Sequence, residues 1–173
     1  MEKIASFTVN HLTLLPGIYV SRQDTVGETK VTTFDLRMTR PNFEPVMNTA
    51  EMHAIEHLGA TFLRNHKDYK DLTIYFGPMG CRTGFYFLVR DMSQEDAIRL
   101  TQEAFAFIAA YEGEIPGVSA AECGNYRDHS LEGAKKEAVD TINEVFETKK
   151  EDDQTFIENR STYENINNIK KVF

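Results

Sequence analysis

The stretch from Met47 to Arg64 restricts the fold of this chain more than any other, because a helix start, an apolar stripe and three reactive side chains share one register there. Asn48 is a favoured N-cap, Glu51 follows three positions later as in a capping box, and Met47 and Met52 stand where a hydrophobic staple closes. These signals predict a helix from Thr49 to Arg64. Residues four apart share a helix face, so His53 and His57 project together. At ~100° per residue, Glu56 lies ~60° to one side of His53 and His57 ~40° to the other. Two imidazoles can then hold one cation, with a carboxylate beside it free to move protons.

Around this helix the chain alternates between strand and helix signals. Val31 to Met38 places Thr32, Phe34, Leu36 and Met38 on one strand face and Asp35 and Arg37 on the other. Leu72 to Phe76 and Phe85 to Val89 read as strands on either side of Gly77-Pro78-Met79-Gly80-Cys81. Ser93 with Asp96 starts a second helix that runs to Glu112 and stops at Gly113. A loop through Pro116, Gly117 and Cys123 leads to a third helix, from Ser130 to Thr148. The first thirty residues are mixed in pattern apart from the Pro16-Gly17 turn. This order predicts a single α+β domain over residues 1–148, with an antiparallel sheet packed against helices. Residues 149–173 open on a solvated charge run and then place Tyr163, Ile166, Ile169 and Phe173 at helical spacing, which predicts a helical C-terminal extension.

Composition narrows the partners. A formal charge of −8 gives nucleic acid or an anionic membrane nothing to gain from association. No apolar run approaches the ~20 residues that span a bilayer, and the N-terminus lacks the pattern of a signal peptide, so the expected location is cytoplasmic. Both cysteines are then expected to be reduced and either inert, metal-bound or reactive.

The spacing of His53, Glu56 and His57 is HxxEH, the inverzincin signature, in which the glutamate activates a metal-bound water for peptide hydrolysis. That reading requires a downstream carboxylate as third ligand, and Glu132 and Glu137 are available. The cysteines suggest other chemistry. Cys81 ends a Gly-Pro-Met-Gly turn, and Cys123 precedes Gly124 in a polar loop. A thiolate joining two imidazoles suits Zn(II) or Fe(II). Spacing alone leaves open which cysteine is the ligand.

Five blocks then point to one family: ASFTVNH (Ala5 to His11), FDLR (Phe34 to Arg37), HAIEH (His53 to His57), PMGCRTGFY (Pro78 to Tyr86) and CGNYRDHSLEGAK (Cys123 to Lys135). In order and spacing they resemble the S-ribosylhomocysteine lyase family, whose product is the precursor of the autoinducer-2 signal. The resemblance covers residues 4 to 145. It implies that His53, His57 and Cys123 hold the metal, and that Cys81 and Glu56 form an acid–base pair. Ser6, His11 and Arg37 match positions that line the substrate pocket. It further implies one Fe(II) per subunit, with Zn or Co able to substitute, and a homodimer with its sites at the interface. The implied reaction takes S-ribosylhomocysteine to homocysteine and 4,5-dihydroxy-2,3-pentanedione, through two proton shifts along the sugar and a β-elimination. Many members carry Asp where this chain has Tyr75 and Ser where it has Gly77, next to the expected contacts to the amino-acid end of the substrate. His129 is close enough in sequence to Cys123 to reach the same pocket. His66 is expected to be exposed near its helix end.

Overall fold

A computed structural model describes residues 2–147 and 170–171. Four antiparallel strands form the body of one sheet: β1 (Gly17–Val26), β2 (Thr29–Arg37), β3 (Thr73–Pro78) and β4 (Gly84–Arg90). Their spatial order is β3-β4-β2-β1, and the short β5 (Lys170–Lys171) pairs with Tyr19 and Val20 at the free edge of β1. Three helices pack on one face: α1 (Thr49–Asn65), α2 (Gln94–Ala110) and α3 (Leu131–Thr141), the last continuing into a π-helical turn at Ile142–Glu147. The expected single α+β domain with an antiparallel sheet is what forms.

Local chemistry accounts for the elements. The Glu51 carboxylate receives the Asn48 backbone N–H at 2.8 Å, and Ser93 Oγ accepts from the Asp96 amide at 3.0 Å, so both helix starts sit at their capping signals. β1 and β2 join through two residues, with Gly27 at φ 63° supplying the left-handed conformation that such a turn needs. The third helix is shorter than expected. Regular α geometry ends at Thr141, and the Ile142 amide is shared between the Ala138 and Val139 carbonyls as the chain widens into the π turn.

The two faces of the sheet differ. Phe34, Leu36, Phe85, Phe87 and Val89 point into the main core and meet Ile55 and Leu58 of α1, Phe105 and Ile108 of α2 and Ala134 and Ala138 of α3. Burying each large side chain contributes about 1.5–3 kcal/mol. Register puts Tyr19, Asp35 and Tyr86 side by side on the opposite face. There Tyr19 packs with Val9 and Leu14 of the N-terminal segment in a second, smaller core.

This arrangement explains why β1 escapes a reading by alternation. Its first four residues are buried on both sides, with Ile18 and Val20 under the helices and Tyr19 under the N-terminal segment. Beyond an irregularity between Val20 and Arg22, the strand continues as a largely exposed polar ribbon. Most of the predicted C-terminal helix, including Tyr163, Ile166 and Ile169, lies outside the described residues. The two residues described there, Lys170 and Lys171, are extended rather than helical.

Candidate metal centre and the Cys81 pocket

One ligand atom from each of His53, His57, Cys123 and His129 falls within 4.8 Å of the others. His53 and His57 come from adjacent turns of α1, on the half-buried side of a helix whose Ile55 and Leu58 face the core. Their ring centroids are 4.7 Å apart. His53 Nδ1 lies 3.0 Å from the Asp128 carbonyl and His57 Nδ1 lies 2.7 Å from the Pro116 carbonyl. A carbonyl only accepts, so both Nδ1 atoms donate there, which leaves each Nε2 as the ring nitrogen turned toward the cluster. Cys123 Sγ lies 3.4 Å from His53 Nε2 and receives the Asn125 amide at 3.4 Å.

His129 completes the group. Its ring stacks on His53 with centroids 3.8 Å apart, and its Nε2 is 3.8 Å from Cys123 Sγ. The next residue anchors the placement, since the Ser130 amide donates to the Ala50 carbonyl at 3.0 Å and ties the start of α3 to the first turn of α1. Burial and the neighbouring His53 and His57 push the His129 imidazole down to about 4. His129 Nδ1 is buried and has no hydrogen-bond partner. Three imidazoles gathered beside a thiol fit a borderline-soft divalent cation. Neither Glu132 nor Glu137 belongs to this group, so the carboxylate ligand that the inverzincin reading requires is not among the described residues gathered there.

The second constellation sits on the other face of the sheet. Ser6, His11, Asp35, Arg37, Cys81 and Tyr86 line a cavity of about 240 Å³. Cys81 is brought there by the β3–β4 hairpin, in which the Arg82 amide donates to the Met79 carbonyl at 2.9 Å and Arg82 takes φ 61°. Gly84 starts β4 directly against the Leu36 carbonyl, where a Cβ would collide with backbone. Arg37 and Asp35 are neighbours on one face of β2 and form a buried ion pair of 2.6 Å. Burial pushes the Asp35 carboxyl up against the pull of Arg37. The other guanidinium nitrogen, Nη1, reaches Thr83 Oγ1 at 2.5 Å and Cys81 Sγ at 3.6 Å. His11 Nδ1 donates to the Val9 carbonyl at 2.9 Å.

Cys81 also lines a second cavity, of about 410 Å³, with His11, Thr83 and the 41–46 loop. Neither of its cavities includes His53, Glu56, His57, Cys123 or His129. The predicted residues therefore fall into two groups within the chain: the three expected ligands in one, and Ser6, His11, Arg37 and Cys81 in the other. Glu56 stands half-buried on α1 between the two histidines in sequence.

The S-ribosylhomocysteinase (LuxS) family model matches residues 4–152. The chain belongs to this family. Among curated relatives, the S-ribosylhomocysteine lyase of Clostridium beijerinckii is 64% identical over 146 residues, covering 84% of this chain and 92% of its own length. That of Finegoldia magna is 60% identical over 152 residues, with 87% and 96% covered. That of Phocaeicola vulgatus is 51% identical over 148 residues, with 85% and 92% covered. Family membership and the gathered thiol and imidazoles together leave the protease reading without support.

Three residues of the two sites carried little signal in sequence. Asp35 and Thr83 read as strand and turn residues, and only side-chain positions reveal that both hold Arg37. His129 showed only its nearness to Cys123. His66 departs from expectation: its side chain is 12% exposed, 3.2 Å from Glu103 and packed on Phe62 and Tyr69. The Tyr75 side chain folds over Gly77, with its hydroxyl where a Cβ on that glycine would stand.

Proposed function

We propose that this chain is an S-ribosylhomocysteine lyase, cleaving S-ribosylhomocysteine to homocysteine and 4,5-dihydroxy-2,3-pentanedione, the autoinducer-2 precursor. The observation that carries the reading is the convergence of His53, His57 and Cys123 in a chain of this family. These three residues hold the metal, Fe(II) with Zn or Co able to substitute, one per subunit. Two imidazoles and a thiolate suit all three ions. When bound, the cation supplies Lewis-acid stabilisation of negative charge developing on the sugar oxygens.

The remaining chemistry belongs to side chains. Cys81 takes a proton from the sugar carbon next to the carbonyl and returns it to the neighbouring carbon, moving the carbonyl one position at each turn. Glu56 moves protons between the sugar oxygens and assists departure of the homocysteine thiol. Ser6, His11 and Arg37 bind and orient the sugar. No oxidant or reductant is required, because each carbonyl shift is an internal exchange and the elimination forms one double bond as the C–S bond breaks.

The functional unit is a homodimer with each site at the interface. Three observations support this. Cys81 lies on the sheet face turned away from the helices, its cavities exclude the helix-borne ligands, and Phe7, Phe43 and Val46, which line those cavities, stand exposed. A second copy lets the helix-borne ligands of one subunit face the Cys81 pocket of the other. Residues 1–148 form the lyase domain and 149–173 an extension, and the reaction belongs to the cytoplasm.

The test is release of free thiol from S-ribosylhomocysteine by anaerobically purified protein. Wild type releases homocysteine; Cys81→Ala keeps its metal and loses turnover, whereas Cys123→Ala loses metal. A metal-loaded wild type that releases none overturns the lyase, and full metal content in Cys123→Ala moves the ligand role elsewhere.

A further inference from the structure

The hydrogen bonds around Cys81 have a direction that the ion pair beneath them imposes. An arginine only donates, so the 2.5 Å contact from Arg37 Nη1 occupies a lone pair of Thr83 Oγ1 and leaves the hydroxyl proton pointing elsewhere. The remaining neighbour is Cys81 Sγ, at 3.1 Å. Sulfur accepts from Arg37 itself at 3.6 Å, and the Thr83 hydroxyl is placed to donate to it as well. We infer that Thr83 is a positioning residue of the active site, its hydroxyl donating to Cys81 so that the sulfur stands as a proton acceptor before substrate arrives.

The geometry makes this a built arrangement rather than a loose contact. Thr83 is buried, and its carbonyl receives the amides of Met38 at 3.0 Å and Thr39 at 3.3 Å. Its backbone is thus pinned to the end of β2 independently of the hydroxyl. On the other side of Arg37, Asp35 holds Nη2, so Asp35, Arg37, Thr83 and Cys81 form one chain of contacts. Burial pushes the Cys81 thiol up, yet the Thr83 hydroxyl and amide, with Arg37, outweigh it and hold the thiol below its usual value. Other titratable groups line the cavities that this sulfur shares: His11 from the N-terminal segment, Tyr86 from β4, Asp35 from β2 and Glu44 from the loop across the second cavity. All of them persist when Thr83 alone is changed, so they cancel in a comparison of variants.

The role matters for turnover only if Cys81 is the base proposed above, and the experiment separates the two questions. Metal-loaded wild type, Thr83→Val and Thr83→Ser are alkylated with iodoacetamide across a pH series, and modification of the Cys81 peptide is followed by mass spectrometry. Losing one hydrogen bond to a charged sulfur moves the alkylation midpoint of Thr83→Val up by about one pH unit, a roughly tenfold loss of thiolate below it. Thr83→Ser keeps the wild-type midpoint because its hydroxyl remains. An unchanged midpoint in Thr83→Val, or an equal shift in Thr83→Ser, overturns the inference. Thr83→Ala, which places no extra methyl against Arg37, repeats the test should the valine variant misfold, with the same shift expected and the same reversal if it is absent. A shifted midpoint with undiminished homocysteine release instead leaves Thr83 in place and removes Cys81 from the proton transfers.

Discussion

Replacing Asp35 tests whether the Cys81 pocket is held up by a buried charge pair. Asp35 and Arg37 have side chains only 8% and 4% exposed and meet at 2.6 Å. Removing one partner of such a pair strands the other charge at a cost of about 3–5 kcal/mol. Arg37 keeps its contacts to Thr83 and Cys81, so Asp35→Ala belongs near the lower end, about 3 kcal/mol. Asp35→Asn still offers an oxygen to Nη2 without compensating the charge and is expected to cost roughly half as much. The double variant Asp35→Leu with Arg37→Met removes both charges and should recover most of the loss. Urea unfolding of metal-loaded protein measures this. With a slope of about 2 kcal/mol per M, Asp35→Ala lowers the midpoint by roughly 1.5 M at unchanged slope. A loss under about 1 kcal/mol, or a double variant as unstable as the single one, refutes the view that the pair's cost lies in stranding Arg37.

Two further perturbations follow from local geometry. Gly84→Ala drives a Cβ into the Leu36 carbonyl, which is backbone and cannot yield, and is expected to cost about 3 kcal/mol or more. Gly77→Ala meets only the movable end of the exposed Tyr75 and should cost less than about 1 kcal/mol; equal losses in the same unfolding assay refute the contrast. Glu137 on α3 has its carboxyl pushed up from 4.5 by burial and by Glu51. The folded state therefore holds that proton longer than the unfolded chain, and the associated stability is lost as pH rises through the folded value. Glu137→Gln should match wild type in acid and exceed it at neutral pH by less than about 1 kcal/mol, given the half-exposed site. A thermal-melt series in which the difference shrinks with rising pH contradicts this sign.

What could be read from sequence followed how local the determinants are. α1 was legible because its cap, stripe and reactive residues all lie within eighteen positions, and Glu51 sits where a capping box needs it. Phe34 and Leu36 against Asp35 and Arg37 were legible because apolar and charged residue types alternate along β2, even though both faces are buried there. β1 was not, since Tyr19 is covered by Val9 and Leu14 from the opposite side, and a strand buried on both faces loses its period. The metal ligands divide in the same way. His53 and His57 follow from helix geometry alone, but Cys123 is 70 positions from His53, and its membership needed either the resemblance or the fold. Thr83 was invisible because its significance lies in an arginine 46 residues away.

On the proposed reading, the sheet gives a physical reason for a site shared between two copies of the chain. β2 carries both halves of the problem on alternate residues. Phe34 and Leu36 build the core that seats α1 and its histidines, while Asp35 and Arg37 build the pocket that holds Cys81. A strand cannot turn both sets to the same side, because successive side chains point to opposite faces. Moving Cys81 toward the helices would require reversing the register of β2 and β4, exchanging Phe34 and Leu36 for two charged residues in the core. Within one chain the ligand cluster and the Cys81 pocket are therefore kept apart by the same alternation that stabilises each of them. Joining them through a second subunit preserves both faces, and the apolar residues left exposed around the pocket, Phe7 at 71% and Phe43 at 57%, lie where such a partner would cover them.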